Sequence, residues 1–496
     1  MEKNLSPSDL EKKLLTKINS YLDKQGIEQV VKSIKIAQNA HINHKRMSGE
    51  PYIVHPFNTA LRLTDLKLDS NTIVAAVLHD TLEDTNLTPI EIKKNFGQEV
   101  FTLVDSVTKL SHIRIKKSWF PIKKLQTEEM TEYERQAETL RKMLVAMAKD
   151  IRVILIKLAD KIHNLETLQY LPEPKRERIA KESIEIFAPI AQRLGIANWQ
   201  GLIEDLAFPY AMPIEYKKLK SLAVPEIKIR EKYLKKIEKI VTQIAKKNLI
   251  DTQTSFRAKR WYSLYKKLQR YENNITKIYD LVAIRIIVQT VEQCYGMLGV
   301  IHSLWRPLPG RIKDYIALPK PNGYQSLHTT VFCDEGKIVE FQIRTFEMDH
   351  KANFGVASHW LYKKSKNNRF LKKDELKWIH EFYNAQKNIN SSEELQDSFK
   401  MDLFQDRIFV FTPMGDVKDL PKGATPVDFA YCVHSDLGSS CGGAIINGKI
   451  APLDKKLENG DIVEIIKRKS ARPRSDWLKF VKTQSARSKI KKSVGI

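Results

Sequence analysis

The sequence is poor in cysteine and has no long apolar run, and both absences narrow the possible classes of protein. The four cysteines among 496 residues form no C-x-x-C pair, which argues against a disulfide-rich secreted scaffold. The N-terminal stretch lacks the apolar core of a secretory signal, and no apolar run approaches membrane-spanning length. We therefore expect a cytoplasmic protein with reduced thiols and no membrane partner. A zinc site from Cys432, His434 and Cys441 stays conceivable, although these residues are not a complete ligand set.

Acidic residues are also scarce relative to basic ones. The chain has 83 Lys and Arg against 59 Asp and Glu, a formal net charge of +24. Such an excess attracts polyanions, whether nucleotides, RNA or anionic lipid. Hydrophobic residues make up 42% and charged residues 29% of the chain, which is ordinary globular usage over a length that suits two to four domains. The net charge therefore indicates a polyanionic partner but does not indicate which reaction, if any, the protein catalyses.

Glycine and proline are sparse in the first part of the chain. Apolar residues recur there at helical spacing from Glu11 to about Met212, and Tyr216–Ile250 continues as strongly basic helix. The pattern then changes to β-branched runs of strand length at Leu281–Val288, Leu327–Phe332 and Ile338–Ile343. Because helical segments lie between these runs, we predict a mixed α/β domain.

The C-terminal third contains a connector and a small β-rich domain. Asn367–Phe399 is polar and helix-prone, whereas Asp406–Lys467 alternates short strands with turn signals. After Lys467 the chain carries ten basic residues and one acid. Gly443–Lys449 fits the start of a phosphate-binding loop, but Ile450 stands where a Mg²⁺-binding hydroxyl is needed. We interpret this match as a turn between strands.

A first group of polar residues lies in helical sequence. His79 and Glu83 are four residues apart, as are Asp80 and Asp84, so both pairs are expected on one helix face. A lone His-Asp pair is more often structural than metal-binding. A carboxylate pair beside a bound metal can orient an attacking water or move its proton.

Two further helical segments supply matching groups. His55 precedes Pro56, which suits the first turn of a helix, and Asp160, Asn164 and Thr167 follow one helix face further along the chain. Together with the histidine–aspartate pair, these segments offer two histidines and two aspartates. A mixed nitrogen and oxygen set suits Mn²⁺ better than Mg²⁺.

A second group of polar residues lies in the α/β region. Arg257 and Lys259 alternate on an extended segment and can both face a polyphosphate. Asp280 opens one strand and Glu340 lies on another, and two such carboxylates can hold Mg²⁺ or accept a proton from a hydroxyl. Tyr324 follows an Asn-Gly turn and can present its ring to a purine. Each feature alone is commonly structural.

The segments RMSGEPYIVHP (46–56), HDTLEDT (79–85) and KDIRVILIKLADKIHNLETL (149–168) resemble HD-type phosphohydrolases, specifically the hydrolase half of RelA/SpoT enzymes. The resemblance implies a Mn²⁺ site formed by His55, His79, Asp80 and Asp160. It implies that Glu83 and Asp84 serve the attacking water, and that the guanosine nucleotide is met by Arg46, Asn164 and Thr167. The family usually has lysine where Met47 stands, so one basic nucleotide contact is expected to be missing.

The segments FRAKRWYSLYKKL (256–268), YDLVAIRII (279–287), GRIKDYIALPKPNGYQSLHTTV (310–331) and VEFQIRT (339–345) are similar to the synthetase half of the same family. The resemblance implies that the ATP phosphates are bound by Arg257, Lys259 and Lys313. It implies that Asp280 binds Mg²⁺ and that Glu340 is the base or a second metal ligand. Tyr324 would stack on guanine, and the acceptor site would also include Lys320, Asn322 and His328. The R-x-K-D form at 311–314 resembles two-activity members.

Residues 406–438 and 447–466 resemble the TGS domain, a β-grasp fold, and 472–492 resembles the helical region that follows it in the family. In ribosome-bound members this module touches the 3′ end of uncharged tRNA, and His434 matches the residue implicated. The resemblance therefore implies ribosome and tRNA as partners.

The expected fold is multidomain α+β, in the domain order of a long, C-terminally short family member. We predict an all-helical HD-type hydrolase domain (1–195), a mixed α/β nucleotidyltransferase-like synthetase domain (196–395), a β-grasp TGS domain (402–467) and a basic start of a helical region (468–496). The expected function is synthesis of (p)ppGpp from ATP and GDP or GTP, and its hydrolysis. There are two alternatives. One is a hydrolase-dominant member with a weak synthetase, and the other is a ribosome- or tRNA-binding regulator with relic sites.

Overall fold

The computed structural model describes residues 5–111, 132–320, 322–355, 407–468 and 470–495. The predicted connector at Asn367–Phe399 lies outside these ranges. The chain forms two compact units, one of Met1–His112 and Lys149–Glu375, the other of Ile113–Ala148 and Leu376–Ile496. The finer domain limits given above stay predictions. None of the helices within the described ranges has the length and apolar character needed to cross a membrane.

The N-terminal half is helical, as predicted. Its helices are α1 (Pro7–Asn19), α2 (Lys24–Ala40), α3 (Val54–Asp65), α4 (Ser70–Leu78), α5 (Thr81–Asp84), α6 (Pro89–Ser111), α7 (Glu132–Lys149), α8 (Ile151–Glu166), α9 (Glu173–Glu182), α10 (Ala188–Arg193) and α11 (Ala197–Ala211). A π-helical turn, Ser183–Phe187, joins α9 to α10. Asp69 and Asp150 cap α4 and α8 by accepting hydrogen bonds from backbone N–H groups of the first turn. Both helices are buried along most of their length, so they form the centre of this region.

One helical prediction is wrong. The sequence suggests a single helix through His79 and Asp84, but α4 ends at Leu78 and α5 begins at Thr81. The Thr81 hydroxyl donates to the Leu78 carbonyl at 2.7 Å, and the His79 ring contacts the Ala76 carbonyl at 2.8 Å. These bonds compete with the helical backbone ladder. The histidine–aspartate pair therefore lies in a turn between two helices.

The α/β region begins with a 35-residue helix and continues into a six-stranded sheet. Its elements are α12 (Pro213–Lys247), β1 (Gln253–Ala258), α13 (Trp261–Arg270), β2 (Val282–Val288), α14 (Val291–Leu304), β3 (Arg306–Pro307), β4 (Lys313–Asp314), β5 (Leu327–Phe332), β6 (Ile338–Thr345) and α15 (Phe346–Phe354). The strand order is β1-β2-β6-β5-β3, with β4 beside β5, and only β2 and β6 run parallel among these pairs. The three strands predicted from β-branched runs are confirmed.

The strand register brings polar side chains to one face of this sheet. Arg257 on β1 pairs with Ala283 on β2, and Arg285 on β2 pairs with Gln342 on β6. Gln342 in turn pairs with His328 on β5. Directly paired residues project from the same face of a sheet, and side chains alternate between the two faces along each strand. These charged and polar side chains therefore lie on one face. The apolar residues of β2 and β6 are buried on the opposite face.

The second unit contains the predicted small β-rich module. Its elements are β7 (Arg407–Phe411), β8 (Val417–Pro421), α16 (Pro426–Val433), α17 (Ser435–Ser439), β9 (Cys441–Ile446), β10 (Lys449–Ala451), β11 (Val463–Lys467) and α18 (Gln484–Val494). Strands β7 and β8 form one antiparallel pair, and β10-β9-β11 form a second sheet. The apparent phosphate-binding loop is the β9–β10 hairpin, as the sequence reading predicts.

The basic segment after Lys467 is part of the folded module. Trp477, Val481, Ala486 and Ile490 are buried in one cluster with residues of α16. The carboxylate of Asp428 on α16 is fully buried and accepts hydrogen bonds from the backbone N–H of Lys482 at 2.9 Å and of Thr483 at 2.7 Å. These contacts hold α18 against α16. The positive charge of this segment is therefore presented from a fixed surface.

Candidate active sites

The turn between α4 and α5 places two histidines where their Nε2 atoms meet carboxylates. His79 is 1% exposed, and its Nδ1 donates to the Ala76 carbonyl, so the lone pair lies on Nε2. That Nε2 atom lies 3.1 Å from Oδ1 of Asp80 but has no hydrogen-bond partner. A buried, unsatisfied nitrogen beside a carboxylate is what a metal ligand requires.

His55 on α3 brings two carboxylates together. Its Nε2 lies 3.4 Å from Oδ2 of Asp80 and 3.2 Å from Oδ1 of Asp160. The ligand atoms of His55, His79 and Asp80 all lie within 4.8 Å of one another. Burial holds the pKa of His55 below its ordinary value, which favours the neutral, metal-binding ring. The residues present thus fit a divalent cation that takes both nitrogen and oxygen ligands.

The other predicted hydrolase residues surround this cluster. Burial, with the negative charge of Asp80, raises the pKa of Glu83 to about 7, so its carboxylate can exchange a proton near neutral pH. Asn164 donates to Oδ1 of Asp160 at 2.5 Å and accepts from Arg46 at 2.7 Å. Thr167 lies at the C-terminal end of α8, where its hydroxyl donates to backbone carbonyls of that helix.

Two residues that the sequence did not single out contact the carboxylates of the cluster. The Tyr52 hydroxyl lies 2.9 Å from Oδ2 of Asp80 and 2.7 Å from Oδ2 of Asp84. Burial and these carboxylates raise the pKa of Tyr52, so the hydroxyl keeps its proton and donates it. Lys157 on α8 is half-buried and donates to Oδ2 of Asp160 at 2.7 Å. Both stand inside the motifs quoted above, but their residue types alone did not mark them.

A second cluster lines a cleft of about 320 Å³ over the polar face of the sheet. The predicted residues that line it are Arg257, Lys259, Asp280, Lys313, Lys320, His328 and Glu340. Residues that the prediction missed also line it, namely Arg260, Ser263, Lys267, Arg311, Tyr315 and Gln342. Asn322 and Tyr324 lie beside the cleft in the loop before β5. The excess of cations makes the cleft suited to a polyphosphate.

Asp280 is held between two lysines. Lys259 donates to its Oδ2 and Lys267 on α13 donates to its Oδ1, each at 2.6 Å. Burial acts to raise the pKa of Asp280, but the two ammonium groups outweigh it and hold the pKa below its ordinary value. The carboxylate is therefore ionised.

Glu340 belongs to a chain of side-chain hydrogen bonds. Its Oε1 accepts from Gln342 at 3.0 Å and lies 3.3 Å from Nδ1 of His328. His328 Nε2 lies 2.8 Å from the Tyr324 hydroxyl, which donates to it. Burial acts to raise the pKa of Glu340, but the bonds from His328 and Gln342 outweigh it and lower the pKa. An ionised carboxylate can accept a proton from a nearby hydroxyl.

Lys320 and two tyrosine rings, Tyr315 and Tyr324, lie together beside the hydrogen-bonded series of Glu340, His328 and Tyr324. Lys320 Nζ lies 4.7 Å from the Tyr315 ring centroid and 5.1 Å from that of Tyr324. The Tyr324 N–H donates to the Asn322 side chain, and Gly323 between them has a φ of +73° that glycine adopts freely. The turn predicted from Asn322–Gly323 is therefore present, and it presents the Tyr324 ring next to the cleft.

Comparisons with known proteins match the chain to three family models. These are the HD domain over residues 33–197, the region found in RelA / SpoT proteins over 256–367, and the TGS domain over 408–467. A guanosine-3′,5′-bis(diphosphate) 3′-pyrophosphohydrolase of Borreliella burgdorferi is 42% identical over 95% of this chain and 69% of its own length. The chain belongs to the RelA/SpoT family.

Other members of the RelA/SpoT family are similarly close. A guanosine-3′,5′-bis(diphosphate) 3′-pyrophosphohydrolase of Aquifex aeolicus is 45% identical over 94% of the chain and 64% of its own length. The bifunctional (p)ppGpp synthase/hydrolase SpoT of Escherichia coli is 42% identical over 96% of the chain and 66% of its own length. The chain thus spans a little under two thirds of these two relatives. The multidomain α+β fold, with HD, synthetase and TGS regions, agrees with the expected fold class.

In the TGS region, His434 ends α16 and is well exposed. Its Nδ1 accepts a hydrogen bond from the Asp436 N–H at 3.2 Å, so the ring is oriented while Nε2 stays available at the surface. The exposed imidazole ring of His434 can therefore contact a molecule that binds this module.

Proposed function

We propose that this chain both makes and hydrolyses (p)ppGpp, at two separate sites. The observation that supports the proposal is that the two polar clusters share no residue. One combines histidines with carboxylates, and the other combines carboxylates with lysines and arginines. Among the alternatives, relic sites are disfavoured because the groups in each cluster are held in mutual contact by hydrogen bonds. A hydrolase-dominant member with a weak synthetase differs only in relative rates.

For hydrolysis, we propose that His55, His79, Asp80 and Asp160 hold Mn²⁺. When bound, the cation acidifies an attacking water. Glu83 accepts the proton of that water, and Asp84 orients it through the carboxylate that Tyr52 also contacts. Arg46, Asn164 and Thr167 hold the guanosine nucleotide. The water oxygen bonds to the phosphorus attached to the ribose 3′-oxygen, the bond between that phosphorus and the 3′-oxygen breaks, and the 3′-oxygen takes up a proton. The pyrophosphate is released with the oxygen of the water.

For synthesis, we propose that Arg257, Lys259, Lys313 and the additional Lys267 bind the ATP phosphates in the cleft. Mg²⁺ held by Asp280 would neutralise charge on the transferring phosphates. The acceptor's 3′-hydroxyl oxygen bonds to the β-phosphorus of ATP, its proton passes to Glu340, and AMP departs. The guanine stacks on Tyr324, with Lys320, Asn322 and His328 around it.

The direct test of this proposal is chromatography of nucleotides after two incubations of the complete chain. Incubation with ATP, GDP and Mg²⁺ should yield ppGpp and AMP. Incubation with ppGpp and Mn²⁺ should yield GDP and pyrophosphate. Product in only one incubation would reduce the proposal to a single activity, and product in neither would favour an RNA-binding regulator with relic sites.

Replacing Tyr324 with alanine should mainly raise the KM for the acceptor nucleotide. Stacking on an aromatic ring is worth about 1–3 kcal/mol per base, which corresponds to roughly a 5- to 150-fold rise in KM. The Tyr324→Phe protein is the matched control, because it keeps the ring and loses only the hydroxyl that contacts His328. Steady-state synthesis at varied GDP measures both. An acceptor KM unchanged in Tyr324→Ala would contradict the stacking role.

We also propose that the TGS module and the segment docked on it bind RNA, with uncharged tRNA and the ribosome as partners. Replacing Lys491 and Lys492 on α18 with alanine should weaken tRNA binding and flatten its salt dependence by about 0.7 in log–log slope per lost phosphate contact on a single strand. Replacing His434 should instead reduce discrimination between uncharged and aminoacylated tRNA, with little change of slope.

These effects can be measured by titrating tRNA into the complete chain at several salt concentrations. Lys449→Ala, in the exposed β9–β10 hairpin, is the control for loss of one charge elsewhere in the module. A salt slope that the α18 substitutions leave unchanged would show that this surface does not contact RNA.

A further inference from the structure

We propose that His163 is a positioning residue for hydrolysis, whose single Nδ1 lone pair is shared by the facing N–H groups of Arg46 and His55. This role deepens the proposed hydrolase function and rests on it. His163 lies beside Asn164 on α8 and is 5% exposed. Through it, the arginine proposed to meet the nucleotide is joined to a histidine proposed to hold the metal.

The first step is the protonation state of the His163 ring. Nη1 of Arg46 lies 2.7 Å from Nδ1 of His163. A guanidinium group has donors and no acceptor, so Arg46 donates this bond. Nδ1 of His163 therefore carries a lone pair and no hydrogen.

The second step fixes the tautomer of His55. Its Nδ1 lies 2.8 Å from the same Nδ1 of His163. Two lone pairs facing each other at this distance would repel, so Nδ1 of His55 carries the hydrogen and shares the His163 lone pair with Arg46. The lone pair of the neutral His55 ring is then on Nε2, the atom that lies 3.4 Å from Asp80 and 3.2 Å from Asp160. His163 thus selects the tautomer in which His55 can bind a cation.

The third step is that, within the described part of the chain, Nδ1 of His55 has no hydrogen-bond partner other than His163. Both rings are buried, with centroids 5.0 Å apart, so water has little access to the shared hydrogen bonds. His79 obtains the same tautomer from a backbone carbonyl, which mutation of a side chain cannot remove. Arg46 has a second acceptor in Asn164, at 2.7 Å. Loss of His163 should therefore affect His55 most and Arg46 partly.

The simpler interpretation is that His163 only fills space in the core. Two substitutions separate these roles. His163→Phe keeps a ring of similar shape and removes the acceptor, leaving the Arg46 and His55 donors without it. His163→Asn places an amide oxygen close to the position of Nδ1 and can accept from the same donors. A space-filling role predicts that Phe is tolerated better than Asn, and a positioning role predicts the reverse.

The experiment is a titration of the complete chain with Mn²⁺ alone, followed by electron paramagnetic resonance of the free ion. Loss of a group that orients a metal ligand typically costs 10–100-fold in affinity, so we expect about that loss for His163→Phe. We expect His163→Asn to recover most of it. In steady-state hydrolysis, His163→Phe should also raise the KM for ppGpp, because Arg46 loses one of its two anchors.

ATP-dependent synthesis and thermal denaturation of both variants verify that the chain is folded. Mn²⁺ affinity of His163→Phe equal to the parent's would overturn the inference, as would an equal loss in the Asn and Phe variants. A parent chain that binds Mn²⁺ without hydrolysing ppGpp would instead refute the proposed hydrolase function and leave the titration to decide the role of His163 at the metal site.

Discussion

Replacing Asp80 with alanine is expected to abolish release of pyrophosphate from ppGpp while ATP-dependent synthesis continues. Asp80 contacts both His55 and His79 and accepts a hydrogen bond from the Tyr52 hydroxyl. Without this carboxylate the site loses a proposed metal ligand. Metal stabilisation of the transition state is worth several kcal/mol, so we expect a loss of roughly a thousandfold or more in hydrolysis rate.

The measurement is pyrophosphate release with saturating Mn²⁺, alongside ppGpp synthesis by the same preparation. Asp105→Ala is the matched control, because Asp105 lies on α6 in the same helical region and pairs only with Lys109 among its described ion pairs. Hydrolysis by Asp80→Ala at the parent rate would refute the proposed metal site. Loss of both activities would indicate that the substitution unfolds the chain.

The sequence predicts the strands well because β-branched runs report burial directly. The run Leu281–Val288 corresponds to β2, and Leu327–Phe332 matches β5 at both ends. The break between α4 and α5 could not be predicted in this way. It depends on side-chain bonds from Thr81 and His79 to backbone carbonyls, and nothing in the local pattern distinguishes these bonds from solvent contacts.

The sequence does not identify some of the site residues because adjacent residues of the same type can face different partners. Lys266 and Lys267 are neighbours on α13, but Lys266 pairs with Glu204 and Lys267 with Asp280. A basic amphipathic helix does not show which lysine faces a catalytic carboxylate. His163 was missed for a related reason, because its partners lie more than a hundred positions away in the sequence.

The charge of the segment after Lys467 predicts a basic helical region but does not indicate that its apolar residues are buried. Trp477, Val481, Ala486 and Ile490 are few among many basic residues, yet they supply the buried contacts with α16. The decisive acceptor, Asp428, lies 54 positions before Lys482. Charge patterns report the solvent-facing side of such a segment, and only the tertiary structure shows the buried side.

Replacing Asp280 with alanine is expected to abolish synthesis and to leave hydrolysis intact. In the structure this carboxylate separates the ammonium groups of Lys259 and Lys267. Its removal leaves two cations facing each other in a cleft that already contains Arg257 and Arg311. The cleft can still attract ATP, but it loses the proposed Mg²⁺ ligand that organises the transferring phosphates. We therefore expect the rate of synthesis to fall by about a thousandfold or more, with a smaller change in ATP binding.

A catalytic role of Asp280 predicts that its replacement lowers the rate of synthesis much more than it lowers ATP binding. A purely structural role does not predict this difference. Replacing Glu340 should also stop synthesis, because its carboxylate is the proposed proton acceptor, but it leaves the lysine pair on Asp280 undisturbed. Single-turnover synthesis and equilibrium binding of ATP measure the two effects separately, and Asp251→Ala, at an exposed position before β1, is the control. If Asp280→Ala made ppGpp at the parent rate, the proposed metal site would be wrong. If it lost hydrolysis together with synthesis, the two sites would not be the independent catalysts proposed above.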